Sequence, residues 1–256
     1  KNYLKKHQFN TVETTNFIAE IEKLYGKPID DFVNLWIKNE TFSSLRALEL
    51  LKSKSSFINE YVMVDCEAAN SKCFDYLKYG VSDEAKVKVI NQNPSLITKD
   101  TFKSSRKVRQ AIATYLEEIP IDLKKDYETL LKDNSYLTIE NALYHLWSNF
   151  PKDAKVYLDQ TKDIFGLNNG NVRLLWLVLA LNTPDYNEKK KQDYFDELIN
   201  YTNSKYHFEL RMNAFSYLKL IKGCQEKCIE HLTEAVNHHH WRMKNFAKQY
   251  FENLNN

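Results

Sequence analysis

Apolar residues along this chain recur at helical, not strand, spacing. Phe17, Ile18, Ile21, Leu24 and Tyr25 form one stripe of a helix. Asn10-Thr11, followed by Glu13 and Thr14, is its expected N-cap with a capping carboxylate in the first turn, and Gly26 its stop. Pro28 and Asp30-Asp31 open a second helix carrying Phe32, Leu35 and Trp36. Ser43-Ser44 restarts helix, with Leu45, Leu48 and Leu51 on one face.

From about residue 84 a repeat emerges. Five apolar helices begin with a polar or basic residue beside a large apolar one. They run from Val108-Arg109 to Leu116, Ile139-Glu140 to Trp147, Val172-Arg173 to Leu181, Leu210-Arg211 to Leu218, and Trp241-Arg242 to Phe251. Arg occupies the matching place in all but the second, where Glu140 stands. The matching positions lie about 31 to 38 residues apart, and a more amphipathic helix separates the inner ones, as Ala154, Tyr157, Leu158, Thr161, Ile164 and Phe165 show. Helix pairs at this irregular period predict an all-α fold: an α-α superhelix of HEAT- or armadillo-like pairs, preceded by a short helical module. An irregular helical bundle is the alternative. The run Leu174 to Leu181 is apolar on every side and reads as an inner helix covered all round.

Composition sharpens this. Only 5 glycines and 5 prolines in 256 residues leave too little punctuation for a sandwich or barrel. With 36 basic against 34 acidic residues, signs interleaved, the chain lacks a global field for nucleic acid or a membrane surface. The eight-residue run Leu174 to Leu181 is far short of a membrane span of about 20 residues. A soluble protein is expected. Lys1 in place of Met suggests a piece of something longer, its true N-terminus, with any targeting signal, unseen.

Candidate chemistry is sparse. Cys224, Cys228 and His231 share a helical side at i, i+4 and i+7, but Ile229, Leu232, Ala235 and Val236 continue that stripe, so core packing is expected over zinc. Cys66 and Cys73 are too far apart for a C-x-x-C pair. All four cysteines are expected as reduced, metal-free thiols. Adjacent His238, His239 and His240 diverge on a helix and read as solvated side chains after an N-cap at Asn237. Lys103, Arg106, Lys107 and Arg109 could hold phosphate but read as a solvated face. Residues 166–170 are a turn, not a phosphate cradle. Neither H-E-x-x-H nor G-x-S-x-G occurs, so no catalytic residue and no metal ligand are assigned.

One stretch has a familiar form. Tyr3-Leu4-Lys5-Lys6-His7, Phe9, Thr11 to Phe17, Gly26-Lys27-Pro28-Ile29-Asp30-Asp31-Phe32-Val33 and Trp36-Ile37 resemble the end of the catalytic domain of aminopeptidase N-like zinc peptidases. Thr41-Phe42-Ser43-Ser44-Leu45 then enters helix directly, closer to the leukotriene-hydrolase and aminopeptidase B arrangement than to members with an inserted β-sandwich. The resemblance implies residues 1–42 as the last helices of a catalytic domain and 43–256 as the helical C-terminal domain. It implies a parent enzyme that removes N-terminal residues from peptides, its zinc held by residues outside this chain, so that the chain alone is inactive and needs no cofactor of its own. Its partners would be its own N-terminal catalytic domain and peptide substrate, with no nucleic acid. The helical domain would wall off the chamber. Arg211-Met212-Asn213 resembles an Arg-Met-Lys stretch facing the substrate's far end, which makes Arg211 a substrate-binding candidate, although it fits the repeat's structural arginine equally well. The alternative function is a free-standing helical-repeat scaffold holding a protein partner in its concave face.

Overall fold

The computed structural model describes residues 1–67, 70–78 and 80–254. Among the described residues it has sixteen α-helices and no strand. Contacts divide the chain into two compact units, Lys1–Val62 and Met63–Asn256.

The first unit holds α1 (Asn2–His7), α2 (Thr14–Tyr25), α3 (Asp30–Phe32), which passes into a π-helical turn at Val33–Ile37, α4 (Ser44–Lys54) and most of α5 (Ser56–Met63). The cap of α2 is Glu13, not Asn10-Thr11. Its carboxyl and the Asn16 side chain form a reciprocal capping box, so the helix starts only where both ends of that box can close. Gly26 ends α2 in the left-handed conformation at φ 76°, where a residue without Cβ is at ease. This unit has almost no interior. Val33 is its one buried residue, while Phe17, Leu24, Phe32, Phe42, Leu45 and Leu51 are exposed.

The second unit contains α6 (Asn70–Lys78), α7 (Asp83–Gln92), α8 (Arg106–Tyr115), α9 (Lys124–Glu128), α10 (Tyr136–Asn149), α11 (Ala154–Thr161), α12 (Asn171–Asn182), α13 (Lys191–Asn200), α14 (Phe208–Leu220), α15 (Glu226–Ala235) and α16 (Trp241–Leu254). The five expected inner segments are α8, α10, α12, α14 and α16. Each packs on the next, so α10 touches α8 and α12, and α14 touches α12 and α16. The intervening α9, α11, α13 and α15 pack against this row.

Local chemistry explains the starts. Ser82, Ser105 and Ser135 cap α7, α8 and α10, each hydroxyl accepting a backbone N–H three residues on. Imidazoles cap two later helices. His207 Nδ1 accepts from the Glu209 N–H, and His240 Nδ1 from the Arg242 N–H. His238 Nδ1 in turn accepts from the His240 N–H, so Asn237 lies in the turn after α15 and not at an N-cap. Helix α12 is buried nearly throughout, Leu174 and Leu177 completely; each such leucine contributes about 2 kcal/mol. Its Trp176 donates to the Leu158 carbonyl at 2.8 Å and meets Tyr186 and Tyr194 edge-on. Gly166 makes the approach to α12 possible. At φ 96°, any Cβ there would strike the Asn171 side chain and the Val172 backbone nitrogen.

Candidate binding groove and the arginine clamps

The recurring arginines are fasteners. Arg109 donates to Asp133 at 2.5 Å and to the Ser104 carbonyl at 2.7 Å. Arg173 grips Glu197 with two bonds, at 2.8 and 2.6 Å, donates to the Lys162 carbonyl, and lies over the Trp176 ring. Arg211 is wholly buried. Its Nε donates to the Thr202 carbonyl at 2.9 Å, its Nη2 to the His231 carbonyl at 3.4 Å, and Glu234 lies 3.8 Å away. Each guanidinium thus ties a carbonyl behind it to an acid ahead. Burial draws the Arg211 pKa down, and the Glu234 carboxylate opposes that shift. Arg242 departs from the pattern: it is exposed and lies over the Trp241 ring. The candidate substrate contact, Arg211, therefore sits inside the repeat, its guanidinium facing main-chain carbonyls.

The cysteines are not free thiols, which corrects the sequence expectation. Cys66 is bonded to Cys73 and Cys224 to Cys228. Both pairs share one plan: a cysteine ahead of a helix meets another in its first turns, the first ends of α6 and α15. The expectation took Cys224 as helical. Because α15 begins at Glu226, Cys224 lies outside it, and the Cα atoms come to 5.1 Å, within disulfide range. Cys228 and Leu232 are buried in the core as expected. His231 is engaged by Thr202 Oγ1 at 2.7 Å and by the Asn203 amide. With two sulfurs consumed and the imidazole occupied, this trio does not fit zinc. Among the described residues no cluster of His, Cys, Asp and Glu could hold a metal ion.

The basic stretch is largely neutralised. Lys103 pairs with Asp100, Lys107 with Glu84 and Arg109 with Asp133. Gly166 and Gly170 bracket a turn closed by the Asn171 side chain, which accepts the Leu167 N–H.

The concavity with most character crosses the inner row. A groove of about 430 Å³ runs over α10, α12 and α14, walled by Trp147, Leu175, Val178, Leu179 and Ile221, with Tyr144 and Tyr217 along it. Leu220, at 71% exposure, forms its rim. Glu140 is its single charged liner. One carboxylate oxygen, Oε2, accepts from the Asn171 amide. Among the described residues Oε1 has no protein donor and Glu140 no ion pair. Burial pushes its carboxyl pKa up, the Asn171 bond drawing it partly back. Burial, with the Glu140 charge nearby, pushes the Tyr217 phenol up to about 12.

Sequence reasoning missed this groove. Its one visible signal was the missing arginine in the second repeat, where Glu140 stands. There the side chain reaches forward to Asn171 of the next inner helix instead of clamping. No protein family, curated protein or solved structure matches this chain.

Proposed function

We propose that this chain is a non-catalytic, C-terminal part of an aminopeptidase N-like zinc peptidase. Residues 1–42 would be the closing helices of its catalytic domain, and the helical unit after them a wall of its substrate chamber. The observation that carries the reading is the uncovered apolar surface of the first unit. Sixty-two residues with Val33 alone buried lack a core adequate to such a length. Phe17, Leu24, Phe32 and Phe42 need a larger apolar body to cover them. The resemblance of residues 3–37 supplies one, the body of a catalytic domain. Zinc in such an enzyme would polarise the scissile carbonyl and activate water; it would belong to that domain, since the residues here do not fit it. Two disulfides favour work in an oxidising compartment.

The test is domain context plus activity. The complete reading frame should encode H-E-x-x-H upstream of Lys1, and its product should cleave N-terminal residues from peptides. The 256-residue chain alone should not, with or without added zinc. An upstream region lacking that motif, or cleavage by the chain alone, overturns the reading.

The second reading, a free-standing helical-repeat scaffold, draws on the groove across α10, α12 and α14. It gains if H-E-x-x-H is missing while the groove still binds a partner.

A further inference from the structure

The groove combines three properties. Its floor is apolar, with Leu175, Val178 and Leu179 each under a tenth exposed. Tyr144, Trp147 and Tyr217 supply aromatic rings. Its one charge, Glu140, has an oxygen that no donor among the described residues satisfies and no basic liner to balance it. A second cleft adjoins along α10 and shares Tyr144. There Glu117 and Glu118 are exposed and, among the described residues, in no ion pair. The chain as a whole carries +2, so this acidic face runs against the overall balance.

We propose that the groove binds a basic-apolar peptide segment, with a large apolar side chain seated on Val178 and Leu179 and a neighbouring lysine or arginine paired with Glu140. A long cationic side chain suits the site for two reasons. Its alkyl stem packs on the tyrosines and Trp147, and its charged head meets both a carboxylate and aromatic faces. The volume falls within the range of about 300–1,000 Å³ usual for ligand pockets. A cation here also restores the ionised carboxylate that burial opposes. Glu117 and Glu118 would draw a second basic residue along the same face and repel acidic segments. The inference deepens the reading of the helical unit as peptide-facing and rests on that, not on zinc chemistry.

Binding to the 256-residue chain tests it without any catalysis. The probe is a fluorescein-labelled, end-capped peptide, Gly-Leu-Lys-Leu-Gly, followed by anisotropy at low salt. Matched peptides carry norleucine or glutamate in place of lysine. The lysine peptide should bind about ten-fold more tightly than the norleucine peptide, and the glutamate peptide more weakly still. Glu140→Gln keeps an acceptor for Asn171, and it should remove the preference while leaving norleucine binding unchanged. Tyr144→Ala, at a half-exposed position, should weaken the lysine peptide without lowering the melting temperature, which keeps the test sound if Glu140→Gln folds poorly. Equal binding of the lysine and norleucine peptides, no binding of either, or a preference surviving Glu140→Gln overturns the proposal. So does dimerisation in sedimentation that Leu220→Glu abolishes, since a second copy would then fill the groove. A missing upstream H-E-x-x-H would sink the peptidase reading while leaving these affinities as measured, so the two failures are distinguishable.

Discussion

At the residue scale, Arg211 is the side chain whose role is most open to measurement. A wholly buried guanidinium bound to the Thr202 and His231 carbonyls holds two elements together. Removing it leaves those carbonyls without their donor and a void beside α15. Arg211→Leu should therefore cost about 2–4 kcal/mol, read by urea denaturation. In the proposed intact enzyme, a stabilising role predicts that KM for free-acid and amide peptides moves alike. A rise confined to free-acid peptides would make Arg211 a carboxylate reader. Three histidines give the pH dependence. Burial holds the His145, His231 and His238 imidazoles below the ordinary 6.5, so near and below that pH the unfolded chain binds more protons than the folded one. Stability is complete above 6.5 and falls as pH drops through it. The urea midpoint should decline from about pH 7.5 to about pH 5.5, and His145→Gln should shallow that decline. Glu140 has the opposite sign: with its pKa raised, it favours the folded state as pH falls toward 4.5.

At the element scale the sequence was most legible where burial decides. All five inner helices lie where their apolar runs placed them, because a helix covered on several sides leaves an unmistakable pattern. Helix α12 is the clearest case. What escaped was geometry fixed by a few residues at helix starts: the Glu13–Asn16 box, the imidazole caps at His207 and His240, and both disulfides. A cysteine pair four apart reads alike as a helical stripe or as a staple across a helix start. Only the position of the first turn separates them. The staples carry a prediction. The native chain should show no thiol reactive toward Ellman's reagent, and reduction should cost about 2 kcal/mol per bond, since separations of 7 and 4 close short loops. Four titratable thiols in the folded protein would overturn this. The groove was hidden for a different reason: its liners come from three helices, and no spacing along the chain announces their convergence.

At the scale of the whole molecule, the two units contrast in how they keep their apolar residues from water. The second closes its own core through the row of inner helices, while the first presents most of its large side chains outward. The clamps of the second unit carry a consequence for its evolution. Asp133 and Glu197 each stand 24 residues after their arginine, and Glu234 stands 23 after Arg211. The carbonyl behind, however, lies 5, 11 or 9 residues back. One distance is nearly constant while the other varies. A guanidinium that can fasten any carbonyl brought near it lets the loop entering a repeat lengthen or shorten without altering the helix spacing that follows. An insertion ahead of an arginine should therefore cost less stability than one between an arginine and its acid. The unequal spacing of the arginines, 38 residues from Arg173 to Arg211 against 31 from Arg211 to Arg242, fits that tolerance.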